Sequence, residues 1–269
     1  MKNSDLQSTF IIPNWPAPAN VKALQTTRNG GISAAPYNSL NLGEHVKDNP
    51  LHVAQNRQLL SQFLPSEPVW LNQVHGVDVI DAANTSCAAD SGYADCVPIA
   101  DASYAMRKNV VCVTMTADCL PILLCDQAGT AVASIHAGWR SLCDGVIEAT
   151  VKQMPVDSSQ LMAWLGPAIG PNAFEVGGEV RAQFIQKGLA LGVSQVETAF
   201  KPHGENEEQG KWLADIYQIA AQRLNNLGIT QIYGGGQHEH WCTHTDEDRF
   251  FSFRRDGLTG RMATLIWLA

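Results

Sequence analysis

Residues 120–135, LPILLCDQAGTAVASI, carry two apolar runs on either side of a polar turn at 126–129. Short apolar runs bounded by such a turn read as the two strands of a β-hairpin. A four-residue loop pairs Cys125 with Thr130 and sets Cys119 opposite His136. Residues opposite each other in an antiparallel pair share a face, with Cβ atoms about 4.5–5.5 Å apart. A thiol and an imidazole so placed can grip one metal ion or form a nucleophile–base dyad. The reading depends on register, because a three-residue loop would turn the two side chains to opposite faces.

A third candidate is His75, at a Gly76 turn in WLNQVHGVDVI. Two histidines and a cysteine match the three-ligand, open-position pattern of catalytic zinc, whereas structural zinc is usually closed by four ligands. The spacings are long and no HExxH motif is present. The residues alone therefore leave another reading open, a buried structural cysteine with two histidines that satisfy backbone groups.

The chain has 269 residues, 45% hydrophobic and 16% charged, with a formal net charge of -8. We expect one domain over 1–269 with much buried sheet. The acidic balance argues against general nucleic-acid binding, which needs a basic surface. No run approaches the ~20 apolar residues of a membrane span, and the N-terminal stretch has no apolar signal core. Seven scattered cysteines fit reduced thiols, so a cytoplasmic location is expected.

Strand-like runs fall at 21–27, 69–73, 77–81, 110–116, 121–125 and 130–136. Residues 141–154 have helical spacing, with Leu142, Val146 and Ala149 on one stripe. LMAWLG reads as a strand before the loop PAIGP, and helical patterns recur near 179–187 and 211–227, the latter ending at Gly228. ITQIYGG, FFSFRR and MATLIWLA read as closing strands. Strands often adjoin one another without βαβ alternation. The expected class is α+β, a single domain with a mixed, largely antiparallel sheet and flanking helices.

Several other residues carry chemistry. His238, His240, Cys242 and His244 alternate and would share one face of an extended strand, where they could take a second metal; a solvated acidic loop is the competing reading. Arg254 and Arg255 could hold a phosphate or carboxylate, against ordinary surface pairing. Arg28 opens a glycine turn whose N–H groups could help cradle an anion. Arg140 could pack on Trp139. Asp118 could orient a ligand or shuttle a proton beside Cys119, or cap a turn. Neither a phosphate-binding glycine loop nor a GxSxG elbow is present.

The stretches TTRNGGIS, YNSLNLGEHV, VWLNQVHG, TADCLPILL, HAGWR, WLGPAIGP, FEVGGEV, LADIYQIA and FFSFRRDGLTGRMA resemble the bacterial YfiH-type laccase-domain family. Members have been called multicopper polyphenol oxidases, purine nucleoside phosphorylases and peptidoglycan editing factors. The resemblance implies His75, Cys119 and His136 as metal ligands; Asp118, from its place beside Cys119, is a fourth catalytic candidate. Arg28, Asn41, Arg255 and Cys242 are the substrate-binding candidates. The implied fold is a layered α+β domain related to the catalytic domain of cytotoxic necrotizing factors. The implied function is a zinc-dependent purine nucleoside phosphorylase with adenosine deaminase activity, on adenosine, inosine, guanosine and methylthioadenosine with phosphate. Copper could replace zinc at such a site. The alternatives are an amidase editing cell-wall precursors and a copper-dependent polyphenol oxidase. No membrane or nucleic-acid partner is expected.

Overall fold

The two apolar runs form adjacent antiparallel strands, β6 (Leu120–Asp126) and β7 (Val132–Ala137), with every residue of both buried. The computed structural model describes residues 9–85, 97–204, 210–236 and 241–269. In it β6 and β7 are the centre of a six-stranded sheet. The order is β12 (Gln231–Gly234), β8 (Leu161–Leu165), β6, β7, β4 (Ala102–Ala105) and β3 (Val79–Asp81). The inner pairs are antiparallel, and the outer pairs β12–β8 and β4–β3 are parallel.

Sandwiched burial explains why these strands are apolar throughout instead of alternating. Leu120, Ile122 and Leu124 join a core with residues of the helices Val146–Gln153, Gly178–Ala190 and Ile216–Asn226. Leu123 and Cys125 face the other way, onto a core shared with Cys112, Met262 and Ile266. Those last residues belong to an antiparallel second sheet of β1 (Phe10–Ile11), β2 (Val21–Thr26), β13 (Met262–Leu268) and β5 (Cys112–Thr116). Its outer face packs Leu24, Val113 and Leu265 against Leu40, Leu42 and Leu60, the last from the helix Pro50–Ser61. A third, antiparallel sheet holds β10 (Phe200–Pro202), β11 (Lys211–Ala214) and β9 (Glu175–Gly177). The class is α+β with mixed sheets, as the residue pattern implies, and the sheets are layered, as the resemblance implies.

The hairpin register differs from the expected one by two residues. Cys125 pairs with Val132, and Pro121 pairs with His136. The cause is Asp126. Its N–H donates to the Ala131 carbonyl, and its carboxylate accepts from the N–H groups of Thr130 (2.6 Å) and Ala131 (2.8 Å) and from Thr130 Oγ1 (2.7 Å). Asp126 therefore ends the strand, and the four-residue loop is 127–130. A shift of two residues preserves the face, so Cys119 and His136 are diagonal neighbours on one side.

Four other expectations are corrected. Residues 69–73 form isolated bridges, Val69 with Cys112 and Asn72 with Ile99, instead of a strand. The helix expected over 141–154 is two helices, Trp139–Asp144 and Val146–Gln153, divided at Gly145 with φ 98°. An L-residue resists that left-handed region, so glycine allows the break. Lys211–Ala214 is a strand, and the helix begins after Asp215, whose carboxylate caps the N–H of Gln218. FFSFRR is not a strand; Phe253–Asp256 is a single helical turn whose start is capped by Ser252 Oγ accepting from Arg255 N–H.

Candidate functional site

Cys119 ends the bend between β5 and β6, where Asp118 takes φ 94°. His136 lies near the end of β7, and His75 sits on a bend with φ 60°. Cys119 Sγ is 3.6 Å from His75 Nε2, and the donor atoms of His75, Cys119 and His136 all lie within 4.8 Å of one another. The two imidazoles meet edge to face at 4.8 Å between ring centroids. Gly138 leaves room for this cluster. A Cβ there would come within 2.5 Å of His75 Cδ2 and 3.2 Å of Cys119 Sγ.

Asp101 holds the cluster together. It is fully buried, and its carboxylate accepts the N–H groups of Val74 (3.1 Å), His75 (2.9 Å) and Gly76 (2.7 Å). The same carboxylate is 2.7 Å from His136 Nδ1. One acidic side chain thus fixes the strained His75 bend and the orientation of the His136 ring. With Nδ1 turned to the carboxylate, Nε2 of His136 is left to face the thiol side. A histidine that ligates a metal characteristically has its other ring nitrogen fixed in this way. Sequence reasoning missed Asp101. Its one signal is an acid inside the otherwise small and apolar run PIADASYA.

The electrostatics favour a charged pair. Burial alone would raise the Cys119 thiol, but the charge and hydrogen bond of His136, then those of His75, bring it down to about 6. Burial alone would lower His136, but the Cys119 charge and the Asp101 hydrogen bond take it up to about 9. For Asp101, burial works against ionisation, and the bond to His136 with the backbone N–H groups outweighs it, so the carboxyl lies below its usual range. Cys112 and Cys125, buried without such partners, are pushed up to about 12. Cys119 is thus set up as a thiolate, the form in which cysteine ligates metals or attacks carbonyls.

The cluster opens into a cavity of about 480 Å³, also lined by His45, Trp139, Phe174, Phe253 and Arg261. Burial, then the charges of Arg261 and Arg57, lowers the His45 pKa and favours the neutral ring.

The remaining candidates are placed elsewhere or differently occupied. Asp118 is beside the cavity, but its carboxylate accepts from Thr243 Oγ1 (2.6 Å) and from the Arg254 N–H (2.6 Å). It ties two loops together, in line with the turn-capping reading. Arg255 and Arg28 do not line the cavity, a correction to the expected anion site. Arg255 spends all five N–H groups, on the Asp256 carboxylate and on the carbonyls of Thr243, His244 and Phe250. Arg28 binds the carbonyls of Asn38 and Glu247 and stacks on Phe251. Asn41 is fully buried and holds Gly43, Asp48 and the Arg261 N–H, so it shapes the wall from behind. Cys242 accepts from the Gly170 N–H at 3.2 Å, away from the cavity. The segment through Cys242 and His244 is a turn and not the extended strand that a second metal would need, while His238 and His240 lie outside the described residues. Arg140 packs on the Trp139 ring, 4.4 Å from its centroid.

Comparison with known proteins places the chain in a family. Residues 22–269 match the family model described as multi-copper polyphenol oxidoreductase laccase. The chain belongs to the YfiH-type laccase-domain family. It is 51% identical over 263 residues to a protein of Escherichia coli (strain K12) called purine nucleoside phosphorylase YfiH, covering 97% of this chain and 99% of that one. It is 48% identical to purine nucleoside phosphorylase PA4543 of Pseudomonas aeruginosa, covering 97% and 99%. The crystal structure of Neisseria meningitidis protein NMB0706 superposes with a TM-score of 0.86 at 47% identity, over 97% of this chain and 99% of that one. This family's members share the α+β architecture seen here. Among the described residues no helix is long and apolar enough to cross a membrane.

Proposed function

We propose that this protein is a zinc-dependent purine nucleoside phosphorylase that also deaminates adenosine, acting on adenosine, inosine, guanosine and methylthioadenosine. The observation that carries the reading is the convergence of His75, Cys119 and His136 at the wall of one open cavity. Zinc bonds of about 2.0–2.3 Å at a tetrahedral angle separate ligand atoms by about 3.5 Å. The 3.6 Å between Cys119 and His75 suits that span, and the 4.8 Å limit for the set asks for an ångström or so of closure. The donor set fits zinc and would also take copper. Relatives at about half identity bear the phosphorylase name, which supports the same assignment.

His75, Cys119 and His136 would hold the metal, which would supply Lewis-acid chemistry at the cavity wall. The chain's own residues do the rest. Asp101 holds His136 in the tautomer that presents Nε2. Gly138 leaves the cluster unobstructed. Trp139, Phe174 and Phe253 provide apolar walls for a flat base, and the cavity volume falls in the usual range of small-ligand sites, about 300–1,000 Å³. In phosphorolysis a phosphate oxygen bonds to ribose C1′ while the C1′–N9 bond breaks. The electron pair leaves with the purine, which takes a proton from solvent.

Adenosine with phosphate should give adenine and ribose 1-phosphate, with no free ribose. Inosine should still form when phosphate is omitted, since deamination consumes water. Both should fall on chelation and in His136→Ala. Base release indifferent to phosphate would mean hydrolysis instead.

A second reading rests on the depressed Cys119 thiol beside a raised His136. That pair suits a nucleophile in an amidase acting on cell-wall precursors. Release of an amino acid from a UDP-muramoyl precursor by metal-free protein would favour it.

A further inference from the structure

Arg261 lines the cavity with part of its guanidinium unpaired, 5.9 Å from the Phe253 ring centroid and within the field of the Cys119 and Asp118 charges. Its Nη1 donates to the carbonyls of Thr259 and Gly260, both at 3.1 Å. Its Nε and Nη2 have no acceptor, and no carboxylate reaches it, among the described residues. The other two arginines of the cavity, Arg254 and Arg140, are exposed where Arg261 is half-buried. Arg254 donates to the Glu175 carbonyl and lies over Phe174, and Arg140 is exposed on Trp139. Half-buried guanidinium groups are ordinarily paired, because desolvated charge is expensive.

The placement of Arg261 is built in. Its N–H donates to Asn41 Oδ1 (2.9 Å), and its carbonyl accepts from Leu42 N–H (3.1 Å). Gly43 makes room for its stem, since a Cβ there would meet Arg261 Cγ at 2.8 Å. The same loop carries His45, which lines the cavity beside Arg261 and whose ring has no partner among the described residues. Two donors without partners, one planar and charged, thus share the wall with the metal-ligand cluster.

We infer that Arg261 and His45 form the oxyanion subsite of this cavity, taking inorganic phosphate as the co-substrate. The identification of the anion as co-substrate rests on the phosphorylase reading; the subsite itself rests on the unpaired donors. A guanidinium with Nε and Nη2 free offers the parallel fork that phosphate accepts in bidentate fashion. The same chemistry could be presented by the phosphate ester of a nucleotide, so the test separates the two.

Inorganic phosphate is titrated calorimetrically into metal-replete protein, alone and with saturating adenosine. Wild type should bind one phosphate, and Arg261→Gln should weaken binding at least tenfold, with Arg261→Lys intermediate because it keeps the charge and loses the fork. His45→Gln should weaken binding severalfold and guards against misfolding of the arginine variants. Turnover should show the phosphate KM rising far more than the nucleoside KM in Arg261→Lys. Phosphate affinity unchanged within twofold in folded Arg261→Gln and in His45→Gln would overturn the subsite. Phosphate excluded by adenosine would overturn the co-substrate assignment and point to a nucleotide ester. Phosphate binding through Arg261 without base release would preserve the subsite and sink the phosphorylase reading. Ribose 1-phosphate formation with a phosphate KM indifferent to both residues would do the reverse.

Discussion

At the scale of single residues, Asp101 and Cys119 divide the work of the site. Asp101 never faces a ligand, yet it fixes both histidines, one through its ring and one through its backbone. Asp101→Asn keeps the shape but replaces one carboxylate oxygen with an NH₂ group, which cannot accept. Metal affinity should fall about 10–100-fold, the usual effect of losing a partner behind the ligands. Competition with a chromophoric chelator measures this without reference to turnover, and an affinity within threefold of wild type would refute the positioning role. Cys119 yields a pH prediction for the metal-free protein. Its pKa lies below the ordinary thiol value, at about 6, so the reactive thiolate persists down to about that pH and is lost below it. Alkylation of Cys119, followed peptide by peptide by mass spectrometry, should have its midpoint near there. His136→Ala removes the main stabilising charge, and the midpoint should rise toward the ordinary thiol value of about 8.5. A midpoint that does not move would dissociate the thiol from the imidazole.

At the scale of elements, the β6–β7 hairpin sets the distance between Cys119 and His136, and Asp126 sets the hairpin. Its carboxylate accepts three hydrogen bonds at the loop. Asp126→Ala leaves two N–H groups of a partly buried turn without acceptors and should cost about 1–3 kcal/mol, read from urea unfolding. Since the turn specifies the register, metal affinity should drop alongside stability. A stability loss with fully preserved metal affinity would show that the central sheet holds the register alone. The elements also show where periodicity misled. Residues 141–154 have a continuous helical stripe, but Gly145 divides them, so that Leu142, Val146 and Ile147 all enter the core. FFSFRR reads as a closing strand, yet Phe250 and Phe251 are both buried and the following turn is pinned by Asp118 from 136 residues away. Local pattern cannot report a bond to a distant carboxylate.

At the scale of the whole molecule, the site joins segments far apart in sequence: the loop at 45, the bend at 75, the carboxylate at 101, the hairpin at 119–136 and the segment at 254–261. A ligand bridging such segments stabilises the fold by mass action. Zinc at a hundred times its dissociation constant should add about 2.7 kcal/mol at 25 °C. Thermal unfolding should therefore shift upward with zinc, return with a chelator and show no response in Cys119→Ser. A zinc-indifferent midpoint in wild type would count against the metal site.

The sequence by itself determined the α+β class and the apolar hairpin, and it put Cys119, His136 and His75 forward as candidates that the family resemblance singled out. The class and the hairpin follow from local information: burial on both faces demands continuous apolar strands, and a two-residue period keeps Cys119 and His136 on one face through a shift of two. Gly228 was likewise legible as a helix stop, and it takes φ 84°. Only the tertiary structure decided what surrounds the triad. Asp101 lies in none of the recognisable stretches, and His45 and Arg261 lie in stretches that do not announce a cavity; only the fold sets Asp101 behind the histidines and His45 and Arg261 on the cavity wall, across gaps of 18 to 186 residues from members of the triad. The same holds in reverse for Arg28 and Arg255, whose charge suggested anion binding until folding surrounded their N–H groups with carbonyl oxygens. Residue type sets what a side chain can donate, and the packed fold decides whether anything is left to receive it.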